Sequence, residues 1–142
     1  MHRDHLAIVA AAQRCVGTSF RPQGRTLGLA LDCLGVVIVA AAAAGVRLKV
    51  PSYALGGDHE TALDAGLAAQ GCERVAAMPG DILVAAPTPG RRHLGIVTPR
   101  GVVHAHAGLG RVVEGPLDPA WTIIGAWRLP QTPLDFAASG IA

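Results

Sequence analysis

Cys33, His93 and His104 are the residues whose types and spacing can do chemistry. Cys33 stands in LDCLGVV, at the expected start of an apolar helix. Free Cys titrates at about 8.5, and helix N-terminal amides with a nearby imidazolium lower that value. The expectation is therefore a thiol activated as thiolate. A nucleophilic thiol also needs a base within hydrogen-bond reach, and the base needs an orienting partner. His93 opens HLGIVT, and His104 follows eleven residues later in VVHAHAG. Pro99-Arg100-Gly101 is a tight turn between them. Antiparallel neighbours joined this way can present two side chains on one face. The result would be a Cys-His-His triad.

Other readings compete for the same residues. A cysteine on an apolar helix is most often a small buried hydrophobe. His104 and His106 are two apart on one strand, so they face the same way. Such a pair can hold a metal, with Cys33 or His93 as third ligand. No acidic residue stands nearby to orient it, so neither metal nor cofactor is expected. His106 is a stand-in for His104 should the strand register differ. Cys15 and Cys72 read as bystanders, and His2, His5 and His59 as solvated or capping residues.

The elements that must position the triad follow from periodicity. Asp4–Val16 reads as a first helix, with Leu6, Ile8, Val9 and Ala12 on one side and Gly17 ending it. A loop rich in Gly and Arg follows. Asp32 caps a second helix that runs through Val36, Val37 and an Ala run to Gly45. Being apolar nearly all round, it belongs in the centre of the fold. A third helix is expected over Asp58–Gly71. Beyond it the period changes. Strands are expected at Ile82–Ala86, His93–Thr98, Val102–Ala107, Arg111–Glu114 and Thr122–Leu129. Helices followed by strands argue an α+β fold with an antiparallel sheet. The tail from Pro130 is expected to be loose.

Composition narrows the class. The chain has 142 residues, 51% hydrophobic and 15% charged, which suits one domain with a sizeable core and excludes a disordered chain. Net charge is +2 and aromatics are 4%, so nucleic acid is not an expected partner. Three cysteines at irregular spacing make no disulfide framework. The apolar run Cys33–Val46 has fourteen residues, too few for a membrane span. The N-terminus lacks the small-residue cleavage pattern of a secretory signal.

GTSF, RPQGR and DCLGVV together resemble the opening of NlpC-type papain-like cell-wall cysteine peptidases. PGDILV, HLGIV and VVHAHAG resemble the later strands of that family, in the same order. WTIIGAWRLP resembles the closing strand of its phage and gene-transfer-agent members. The resemblance covers roughly residues 5–130. It implies a single NlpC-type domain over residues 1–142, with N-terminal helices packed on a central antiparallel sheet. It implies Cys33 as nucleophile, His93 as base and acid, and His104 as its orienting partner. Asp32 matches the acidic residue that in some members holds a substrate amino group. Phe20 stands where many members carry a Tyr hydroxyl, and Ser19 replaces the usual Pro; both are substrate-side candidates. The implied activity is hydrolysis of peptidoglycan stem-peptide amides, with the D-glutamyl–diamino acid bond as the common target. Implied partners are the wall peptide and the baseplate proteins of a phage tail or gene-transfer agent. The implied route is cytoplasmic synthesis, carriage in a phage-like particle and action in the periplasm. The alternative is a structural tail-tip component with the same fold and little activity.

Overall fold

The structure is a computed structural model that describes residues 3–50 and 60–131. Three helices precede or flank the sheet: α1 (Arg3–Arg14), α2 (Cys33–Ala42) and α3 (Glu60–Ala69). A small hairpin, β1 (Arg25–Thr26) and β2 (Ala30–Leu31), lies between α1 and α2. The remaining strands are β3 (Glu73–Val75), β4 (Ile82–Ala86), β5 (His93–Thr98), β6 (Gly101–His106), β7 (Arg111–Gly115) and β8 (Thr122–Arg128). They form a six-stranded antiparallel sheet in the order β3-β8-β4-β5-β6-β7. The architecture is α+β, with N-terminal helices packed on that sheet.

The expected elements are present: β4 and β5 keep the expected bounds, the helices and β8 end earlier, β6 lies one residue earlier and β7 runs one residue longer. Gly17 follows α1 at φ 91° and Gly45 follows α2 at φ 77°, conformations that glycine adopts without steric cost. The expectation for Asp58 and His59 lies outside the described residues, as does the tail beyond Gln131. The hairpin β1–β2 falls in the stretch expected to be loop, and β3 in a stretch for which no element is expected. Elements of two and three residues are too short to show a period.

Helix α2 is the axle of the fold. Leu34, Val36, Val37, Ala40 and Ala41 are buried against the inner face of the sheet, which supplies Leu94, Ile96, Val103 and Ala105. Small residues on the helix let it lie close to α1 and β5. Across the sheet, buried Asp81 holds Arg128 by two 2.9 Å bonds, tying the start of β4 to the end of β8.

The start of α2 is fixed by contact with the loop before the hairpin. Asp32 N–H donates to the Gly24 carbonyl at 3.2 Å. A Cβ on Gly35 would fall onto that same carbonyl oxygen, so only glycine admits the approach. Gly35→Ala should therefore destabilise the protein by about 1–3 kcal/mol, the usual range for overpacking against backbone. Urea unfolding with an unchanged m-value checks this; an unaltered midpoint would contradict the close approach.

Candidate active site

Asp32 sets the position of Cys33. Its extended backbone precedes the helix, and its Oδ1 accepts the Gly35 N–H at 2.8 Å, an N-cap bond. The same oxygen pairs with Arg25 of the hairpin, and Oδ2 accepts the Gln23 N–H at 2.8 Å. Cys33 is thus the first residue of the helix, 8% exposed, on the wall of a cavity of about 500 Å³. The backbone N–H groups of Leu94 and Leu34 lie near its sulfur and favour the thiolate form. The thiol therefore lies against the peptide that joins His93 to Leu94.

His93 lines the same cavity at the start of β5. Its Nε2 is 2.9 Å from Nδ1 of His104, which is 3% exposed on β6. The two rings meet edge-on, with centroids 5.0 Å apart. Trp121 closes the far side, edge-on to His93 at 5.0 Å. A Cβ on Gly95 would collide with Val102 and the Val103 carbonyl, so glycine there lets β5 and β6 come together beneath the two rings.

The ionisation differs from the expectation of a lowered thiol. Burial pushes the Cys33 thiol up to about 11, and the Asp32 charge adds to this. The nearby N–H groups of Leu94 and Leu34 and the Arg25 charge act the other way and do not win. A helix start lowers a thiol only where solvent or a fixed cation also helps; here desolvation dominates. His93 is pushed down to about 4, first by burial and then by His104 and His106. His104 is also lowered to about 4, by burial and by His106. At neutral pH the resting site is a neutral thiol beside a neutral imidazole pair.

Neutral imidazoles carry one proton each, which fixes a direction. For His93 to take the thiol proton, Nδ1 must be its free acceptor. Nε2–H then donates to Nδ1 of His104, leaving the His104 proton on Nε2. His104 thus holds His93 in the tautomer a base requires.

The other sequence candidates are placed less uniformly. Phe20 and Asp32 line the cavity, although the Asp32 carboxylate is engaged by Arg25, Gln23 and Gly35. Ser19 is not brought to the site. It is exposed, its backbone bridges to Arg111, and its carbonyl accepts the Leu31 N–H at 2.9 Å. His104, in register with Val113, reaches His93; His106, in register with Arg111, lies on the cavity wall instead. Among the described residues no three His, Cys, Asp or Glu side chains converge as a metal-ligand group. No helix among them is long and apolar enough to cross a membrane. Sequence reasoning missed Trp121, Arg91, Arg92 and the Arg25–Asp32 pair. The adjacent arginines beside the His93 strand were a readable signal; the ion pair, formed across a hairpin, was not.

A helix-borne thiol and a strand-borne histidine on one cavity, with a second histidine behind the first, define an α+β domain with a cysteine–histidine site. The fold then has named counterparts, and they are NlpC/p60 domains. NlpC1 from Trichomonas vaginalis superimposes with a TM-score of 0.68 at 14% identity, over 91% of this chain and 45% of that one. This chain therefore spans under half of that protein. The P60 domain of a Mycobacterium avium subspecies paratuberculosis antigen matches with a TM-score of 0.59 at 17% identity, over 89% of this chain and 94% of that one. RipD of Mycobacterium tuberculosis matches with a TM-score of 0.58 at 16% identity, over 90% of this chain and 98% of that one. RipD is described as a non-catalytic NlpC/p60 domain protein adapted to peptidoglycan binding. No family model matches the sequence, and no curated protein matches it.

The depressed histidines make stability depend on pH. Unfolded His titrates at about 6.5. Between there and about 4 the unfolded chain binds protons that folded His93 and His104 resist. Stability is full above the unfolded value and falls as the pH drops through this window. Thermal unfolding from pH 7 to pH 4 should show a declining Tm, and His104→Gln should flatten the decline. A wild-type Tm that stays level would contradict the buried neutral pair.

Proposed function

We propose that the protein is a cysteine endopeptidase acting on the amide bonds of peptidoglycan stem peptides. One observation carries this reading: Cys33 and His93 share a cavity, with His104 2.9 Å behind His93. The NlpC/p60 fold adds the substrate class by analogy.

The chemistry is acyl transfer through a thioester. Cys33 Sγ attacks the amide carbonyl carbon as its proton passes to Nδ1 of His93. The resulting imidazolium is stabilised by the His104 ring that accepts its Nε2–H. Collapse of the tetrahedral species breaks the C–N bond, and His93 gives its proton to the leaving amine. Water then attacks the thioester carbonyl with His93 as base, and the thiolate leaves and regains the proton. The Cys33 backbone N–H, at the first turn of α2, is a donor for the developing oxyanion. Burial favours the neutral forms of both Cys33 and His93, so in this mechanism the thiol proton passes to His93 as attack proceeds. The target bond in this proposal is D-glutamyl to diamino acid. The proposed setting is a phage-like or gene-transfer-agent particle that opens the wall locally from the periplasm. The resemblance of WTIIGAWRLP to the closing strand of such members supports the setting.

Purified peptidoglycan incubated with wild type should release new amino groups. Cys33→Ala and His93→Ala should each lose at least about 10³-fold. His104→Ala should lose about 10²- to 10⁴-fold through misorientation of His93. Silence from folded wild type across the pH range would leave a structural tail component or a wall-binding domain. Equal activity of wild type and Cys33→Ala would remove the thiol from the reaction.

A further inference from the structure

The polar groups on the cavity wall are unequal in kind. Arg91 is exposed and Arg92 half-buried in the loop between β4 and β5. Arg92 is braced by its own loop, its Nη1 donating to the carbonyls of Pro89 and Arg91 at 3.2 and 3.0 Å. Neither guanidinium has a carboxylate partner among the described residues.

His106 supplies a third donor by a different route. Its Nδ1 accepts the Leu109 N–H at 3.0 Å. In the neutral ring the proton therefore sits on Nε2, the one polar atom the ring has left for a molecule in the cavity. Phe20, on the same wall, offers no hydroxyl.

Among the described residues Asp32 is the only carboxylate on this wall, and most of its acceptor capacity is already used. Three of its lone-pair positions accept from Gly35, Gln23 and Arg25, and Arg25 cancels its charge. An ammonium arriving there would meet a carboxylate whose charge Arg25 already balances and would face the charges of Arg91 and Arg92. A carboxylate meets the opposite situation, with the Arg91 guanidinium, the remaining N–H groups of Arg92 and an imidazole N–H able to donate.

We infer that the cavity takes a peptide that sets a free carboxylate against Arg91 and Arg92 and whose amino end is already in amide linkage. This deepens the peptidase reading and rests on it. A D-glutamyl residue has two carboxyl groups. One forms the scissile amide, and the other is free to be read by the arginines. A stem peptide still joined to the glycan carries no free amino end. The substrate class is then the intact wall with an unamidated glutamyl carboxylate, in preference to released peptides with a free amino terminus.

Four synthetic alanyl-D-glutamyl-diamino acid peptides test this. The amino end is free or acetylated, and the spare glutamyl carboxyl is free or a carboxamide. For wild type, kcat/KM should fall at least about 10-fold on amidation and change less than about 2-fold on acetylation. The double change Arg91→Gln with Arg92→Gln should abolish the discrimination against the amide. Arg25→Gln, which releases Asp32, should shift preference toward the free amino end. A preference of wild type for the free amino end, or indifference to amidation, would overturn the inference while leaving the peptidase reading intact. If no peptide is cleaved, that reading fails first. Calorimetric binding of the same four peptides to Cys33→Ala then decides the subsite. Tighter binding of the carboxylate forms, lost in the arginine variants, upholds it; equal binding overturns it.

Discussion

The carboxylate of Asp32 is the constraint on which the rest of the site depends. One oxygen caps α2 and pairs with Arg25; the other holds the chain at Gln23. Capping of this kind is worth about 0.5–2 kcal/mol. Its larger effect is positional, because it decides that the helix begins at Cys33. Gly35 then lets the preceding loop lie directly on the helix start. The thiol is presented to the cavity by backbone that cannot easily move. The helix behind it is buried against β5 and β6, so thiol and histidines are set by one packed body.

That rigidity has an electrostatic cost. A site buried enough to be well ordered is also desolvated, and the thiol and both histidines favour their neutral forms. The site therefore holds no resting ion pair. It relies on His104 to keep His93 in one tautomer, and on the substrate to complete the environment in which charge develops. Among the described residues the wall around the thiol is positive through Arg91 and Arg92, since its carboxylate, Asp32, is neutralised from outside the cavity by Arg25. An anionic substrate placed there brings negative charge close to His93. Such a charge favours the imidazolium that forms during attack.

Much of this was legible in the sequence for definite reasons. The Asp32-Cys33 step, at the junction between a Gly-rich loop and an apolar run, marked a capped helix start. His93 and His104, separated by a tight turn, implied adjacent strands, and the register places them together. The hairpin β1–β2 was invisible because two-residue strands carry no period. For the same reason nothing pointed to Arg25 as the partner of Asp32, or to the outward course of Ser19. The thiol's direction was misjudged because sequence shows a helix start but not how deeply it is buried.

The central claim is that Cys33 becomes covalently acylated with His93 as its base. Acid-quenching the protein during turnover of an N-acetylated stem peptide, followed by mass spectrometry, reads this directly. The account predicts a mass gain equal to the acyl half of the substrate, carried on the Cys33 peptide and absent in His93→Ala. Steady cleavage with no adduct on Cys33, or an adduct on Cys15 or Cys72 instead, would contradict it.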